Sequence, residues 1–159
     1  GEPLAYMPFI YEHPVYWQKI QEETKGSGDI ERSTCLFIDS ENAREHTEEE
    51  MIPVENIKGR LFLVGAEDDS FWETGKYIRR MDERLKERPH TCEYVPLVYE
   101  HGTHFVLPES LLRKALPVGL KFVMRFIFKA AKEYPNECEK TRKDIDRRLS
   151  SALKEWREE

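Results

Sequence analysis

The apolar positions of this chain change their period several times, and each change predicts an element. Arg60-Leu61-Phe62-Leu63-Val64-Gly65 is a continuous apolar run without alternation. Such a run predicts a strand buried on both faces of a parallel sheet. From Thr74 to Lys86, Tyr77, Ile78, Met81 and Leu85 share one helical face, with Arg79, Arg80, Asp82, Glu83 and Arg84 on the other, and Pro89 follows the end. Glu93 to Tyr99 reads as a second strand, placed at a sheet edge because Pro96 removes one ladder donor. Pro117 and Gly119 introduce a helix over about Leu120 to Lys132, whose apolar residues wrap more than one face. In the last helix Ile145, Leu149, Leu153 and Trp156 recur at helical spacing, with Asn136 and Glu139 as a capping box.

The first third is less regular. Residues 1–13 are aromatic and proline-bearing, and read as an extended connector that needs a surface to lie on. Residues 14–25 are expected as a short helix with Tyr16, Trp17 and Ile20 inward, ended by the flexible Lys25-Gly26-Ser27-Gly28-Asp29 break. Ser40 to Met51 is acidic and polar, and is expected as a solvated helix.

Strand, helix, strand, helix, helix implies a parallel α/β arrangement. Two strands make a poor sheet, so the 159 residues are expected to form a single fragment, one end of a larger α/β sheet. Within it, residues 1–30 act as a connector or cap-like segment, 52–110 carry the two strands and 119–157 the C-terminal helices. The chain opens on Gly1 rather than Met, and the expectation is an added residue or a cut inside a longer protein.

Bulk properties narrow the functions. A formal net charge of −6 with 35% charged residues argues against nucleic-acid or anionic-membrane binding, both of which need a basic face. No apolar run approaches the roughly 20 residues of a bilayer span. No secretory signal opens the sequence. The three cysteines, Cys35, Cys92 and Cys138, are widely spaced without a CxxC, and are expected as idle or buried thiols in the cytoplasm.

Chemistry concentrates where the strands end. In open α/β sheets reactive groups gather past the C-terminal strand ends. The first strand runs into Gly65-Ala66-Glu67-Asp68-Asp69-Ser70-Phe71-Trp72, and the second into His101-Gly102-Thr103-His104-Phe105. A histidine base needs a carboxylate to fix its tautomer and to stabilise its cation. Asp69 and His104, 35 residues apart, leave room for one crossover helix between them. Acid before histidine matches the last two terms of the order nucleophile, acid, histidine of α/β-hydrolases. Taken singly, Asp68 and Asp69 also read as turn or helix-capping residues, and His104 as a loop histidine. His101 competes as the base, but precedes the glycine and lies nearer the strand. No serine or cysteine stands in a Gly-x-Ser-x-Gly elbow; Ser27 has the wrong flanks.

The segments IPVENIKGRLFLVGAEDDSFW, KYIRRMDERL and HGTHFVLPE resemble the C-terminal domain of the acyl-CoA thioesterase and bile acid-CoA:amino acid N-acyltransferase family, within the dienelactone-hydrolase-like α/β-hydrolases. The resemblance covers roughly residues 1–110. It implies the C-terminal part of an α/β-hydrolase fold, with Asp69 as the acid (Asp68 as fallback) and His104 as the base. It also implies a serine nucleophile, or a cysteine in the acyltransferases, and an ester or thioester substrate such as an acyl-CoA. No cofactor and no metal are implied. The absent nucleophile and the apolar helix after Pro117 depart from the family pattern.

Three readings follow. The first is a serine hydrolase part that is inactive alone for want of its nucleophile. The second is a non-catalytic, oligomerising interaction module. The third is a prolyl-oligopeptidase-like peptidase fragment, against which the tryptophan after the acid argues. Phe122, Phe126 and Phe128 line an acyl pocket or pack on a missing sheet or a second copy. The exposed edge and face of a truncated sheet predict a homo-oligomer.

Overall fold

In a computed structural model the described residues are 34–158, with side chains from Phe37 onward, together with residues 5, 6, 18, 19, 21, 22 and 25. The expected connector apart from residues 5 and 6, the inward-facing Tyr16, Trp17 and Ile20, the glycine break after Lys25 and the side chain of Cys35 lie outside them.

The fold is mixed helix and sheet. Strand β1 (Arg60–Ala66) pairs in parallel with β2 (Glu93–Tyr99), Arg60 opposite Glu93 and Leu63 opposite Pro96. Helix α2 (Thr74–Glu87) connects them, after α1 (Thr34–Asn42) and two single 3-10 turns, Glu48–Glu50 and Val54–Asn56. After β2 come α3 (Glu109–Ala115), α4 (Leu120–Ile127), α5 (Lys129–Glu133) and α6 (Pro135–Glu158). Among the described residues no helix is long and apolar enough to cross a membrane.

Two apolar clusters hold these elements. Val54, Leu85 and Cys92 form one, with Leu61, Leu63, Met81 and Tyr94 packed on it, so α2 is laid on the sheet by the face its sequence marks as apolar. Leu112, Leu120, Met124, Phe128, Ala131 and Cys138 form the other, within α3 to α6.

Several expectations are corrected. Leu61 to Val64 are half-buried rather than enclosed on both faces, because β2 is the one strand paired with β1 among the described residues. The acidic stretch from Ser40 is not one helix. α1 ends at Asn42, and the glutamates beyond it reach for cations: Glu48 to Arg84 and Arg88, Glu50 to Arg44. Ion pairs, within the stretch for Glu50 and to α2 and the residue after it for Glu48, take the place of an apolar stripe. The helix expected over Leu120 to Lys132 breaks at Phe128, whose backbone is extended (φ −114°, ψ 122°). Neither Gly nor Pro signals this break; Phe128 is 3% exposed and packs against Phe105, ring centroids 5.2 Å apart. With Phe122 and Phe126 about three-quarters exposed and Phe128 in the core, these three rings line no common pocket. α6 begins at Pro135, a residue whose missing N–H suits a first helical position. Asn136 is therefore inside the first turn rather than a cap, and Glu139 binds Lys121 and Lys143. Of the expected apolar series on α6, Ile145 is buried, whereas Leu153 and Trp156 are exposed.

Candidate functional site

Parallel pairing puts the C-terminal ends of β1 and β2 at one edge, and both loops start there. The Glu67 N–H donates to the Tyr99 carbonyl (2.8 Å), carrying the pairing one residue past β1. Gly65 lets α2 approach: a Cβ on it would stand 2.9 Å from backbone atoms of Thr74. That approach brings the Thr74 hydroxyl to Asp69.

The Asp69 side chain is fully buried. A desolvated carboxylate needs its oxygens satisfied, and these are. Oδ1 accepts the N–H groups of Phe71 (2.9 Å) and Trp72 (3.3 Å), an Asx turn. Oδ2 accepts the Thr74 hydroxyl (2.9 Å) and lies 3.1 Å from His104 Nδ1. Thr74 has one hydroxyl proton; it goes to the charged acceptor, and Oγ1 in turn accepts the Ala66 N–H (3.1 Å). An ionised Asp69 can only accept, so His104 Nδ1 carries the ring proton and Nε2 is the basic nitrogen. Phe71 stacks on the imidazole (4.8 Å between centroids, 29°) and Trp72 meets it edge to face (4.7 Å, 87°).

Asp68 pairs elsewhere. Its Oδ1 accepts the N–H groups of Gly102 (2.9 Å) and Thr103 (2.8 Å), and its Oδ2 lies 3.2 Å from His101 Nδ1. Neither the fallback acid nor the competing histidine therefore touches the Asp69–His104 pair; together they pin the loop that presents it. His101 lies flat on Tyr134 (3.8 Å, 10°), and its carbonyl accepts the Thr141 hydroxyl. Thr103, fully buried, sits at φ 61°, a strained value for a β-branched residue. The two hydrogen bonds that Asp68 accepts and the Phe105 N–H donated to Thr103 Oγ1 (3.1 Å) hold it there. Gly102 has no room for a side chain: a Cβ would lie 2.6 Å from Val106 Cγ1 and 3.0 Å from Ala66 Cβ.

Other chemistry is sparse. Cys138 is buried beside this loop; burial, then the Asp68 charge, pushes its thiol up to about 11, far from a thiolate at neutral pH. Cys92 is also buried and free. Among the described residues no group of three or more His, Cys, Asp or Glu could hold a metal ion.

Sequence reasoning named Asp69, His104, Asp68 and His101, and the structure brings them together as two separate pairs. It missed Thr74, Thr103, Tyr134 and Thr141. Thr74, five residues after the acid at a helix start, carried a readable signal. Tyr134 and Thr141 carried none, since only tertiary packing brings the end of α5 and α6 to the loop.

The sequence profile of the BAAT / acyl-CoA thioester hydrolase C-terminal family matches residues 12–110. The chain belongs to that family. No curated protein and no solved structure matches it. Membership in the BAAT / acyl-CoA thioester hydrolase family implies an α/β-hydrolase-like fold, with which the parallel pair and its connecting helix agree. The match contains both strands and both loops; Tyr134 and Thr141 lie beyond it.

Proposed function

We propose that this chain supplies the acid and the base of a Ser-Asp-His triad for an acyl-CoA thioesterase or acyltransferase. Asp69 orients His104, and a segment upstream of Gly1 contributes the nucleophile and the remaining strands of an α/β-hydrolase sheet. The observation that carries this reading is the 3.1 Å contact between a fully buried, otherwise satisfied carboxylate and the imidazole at the shared strand edge. The family match supports an acyl-CoA thioester as the substrate class of this reading.

In this mechanism His104 Nε2 takes the serine hydroxyl proton as the oxygen bonds to the thioester carbonyl carbon. The carbon–sulfur bond then breaks, and the proton passes from Nε2 to the departing sulfur, releasing the thiol. Water, or an amine in an acyltransferase, opens the acyl-enzyme after giving its proton to Nε2, which returns it to serine. Asp69 stays ionised and stabilises the imidazolium in both halves.

The test is a fluorophosphonate probe applied to the longer protein and to this chain. The longer protein should be labelled, its His104→Ala variant should lose labelling about 10³-fold or more, and this chain should not react. An upstream sequence without a serine or cysteine elbow contradicts the proposal.

A second reading, self-association, is favoured by one observation: Phe122, Phe126 and Val118 are 75%, 73% and 88% exposed on and beside α4. Apolar side chains exposed together in this way suit an interaction surface. Light scattering at micromolar concentration should then report a dimer or larger that Phe122→Asp dissociates; a stable monomer contradicts it.

A further inference from the structure

A cavity of about 400 Å³ opens between α1, the Glu48–Glu50 turn and α2. Its wall is largely apolar: Phe37, Met51, Ile52, Trp72, Tyr77 and Met81. The carboxylates and cations around it are paired with one another, while His46, also in the wall, keeps a buried Nε2 with no hydrogen-bond partner among the described residues. Glu41 takes Lys76 and Arg80, Glu48 and Glu55 take Arg84, and Glu50 takes Arg44. The cavity thus offers hydrocarbon surface rather than counter-charge for an anion, which is wrong for a nucleotide phosphate and right for a hydrocarbon chain.

Neither Asp69 nor His104 lines this cavity; Trp72 connects it to them. The indole meets the His104 ring edge to face at 4.7 Å and is also cavity wall. Phe37, likewise cavity wall, meets Trp72 at 5.2 Å and Phe71 at 6.4 Å. A series of contacting aromatic rings therefore links the proposed base to the cavity wall.

Resting on the thioesterase reading above, we infer that the cavity takes the acyl tail of the substrate, with Trp72 as the residue over which the chain passes from the carbonyl beside His104. The cavity is finite, so it limits the length of chain it can cover. The ligand class is a hydrocarbon acyl chain, and Trp72 and Phe37 are specificity-determining residues.

The free fatty acid is the hydrolysis product, so this chain can be tested without its nucleophile. Calorimetric titration with saturated fatty acids of increasing length should show affinity rising about fourfold per methylene, the equivalent of ~0.8 kcal/mol per buried CH₂. The rise should stop at the chain length that fills the cavity, while a surface without a cavity would give no plateau. A fatty acid brominated at its terminal carbon should quench indole emission, and Trp72→Phe should remove most of that quenching. Should Trp72→Phe fail to fold, Phe37→Ala serves instead and should move the plateau to longer chains. Affinity independent of chain length, quenching unchanged in Trp72→Phe, or a plateau unmoved in Phe37→Ala overturns the inference. His104→Ala should keep the chain-length slope, so loss of the tail cavity and loss of the proposed triad are separate results.

Discussion

Asp68 holds Thr103 from 35 residues away: its Oδ1 accepts the Thr103 N–H at 2.8 Å, fixing a buried threonine at φ 61°. One oxygen also takes the Gly102 N–H, and the other faces His101. Asp68 is thus a positioning residue for the loop whose next member, His104, meets Asp69.

Asp68→Ala leaves two buried N–H groups without an acceptor and a strained backbone without its clamp. It should lower the unfolding free energy by on the order of 3 kcal/mol, read by urea denaturation. Amide exchange at Gly102 and Thr103 should accelerate. Asp68→Asn keeps an oxygen for both amides and should recover most of the loss. A merely structural aspartate would leave the His104 ring signals unchanged in Asp68→Ala; here they should shift or broaden.

Gly65 sets the approach of α2 to β1. Gly65→Ala places a Cβ 2.9 Å from the backbone of Thr74 and 3.0 Å from Ile78 Cγ1. The helix start must move, because backbone cannot turn aside as a side chain can. The expected cost is about 1–3 kcal/mol, with weakening of the Thr74–Asp69 bond visible as perturbed His104 resonances. Unchanged stability contradicts the close approach.

The two strands and α2 were legible because their residues obey one local rule each: an unbroken apolar run, or apolar positions three and four apart. The Asp69–His104 pair was legible because parallel strands bring their loops to one edge whatever the rest does. What escaped depended on distant partners. Phe128 breaks a helix that local propensity would continue, since its ring belongs to the core and to Phe105. Glu109 is buried on α3 against Arg142 (2.8 Å), a pairing across 33 residues that no local pattern announces. Asp68 and Asp69 are adjacent and chemically identical; only the fold sends one to an amide pair and the other to an imidazole.

Acid should weaken the fold through identifiable carboxylates. Hydrogen bonds from Lys121 and Lys143 hold Glu139 at about 2, and Arg147 and Arg148 do the same for Asp144. Arg44 holds Glu50, and Arg84 holds Glu55, also at about 2. The ordinary values are 4.5 for glutamate and 3.8 for aspartate. Folded values below unfolded ones contribute stability that is complete above about pH 5 and lost as pH falls toward 2. Urea midpoints should therefore be flat from neutral pH to about 5 and then decline, less steeply in roughly 1 M salt, which screens these largely surface pairs. Stability that rises below pH 4 contradicts this assignment.

Asp69 accepts a hydrogen bond from His104 Nδ1, and proton NMR of this chain labelled with ¹⁵N at histidine reads that bond. A slowly exchanging imidazole N–H should appear downfield of the amides and be assigned by its loss in His104→Ala. It should vanish in Asp69→Ala and survive in Asp68→Asn. If no such proton is found at His104, or it persists in Asp69→Ala, the account is contradicted.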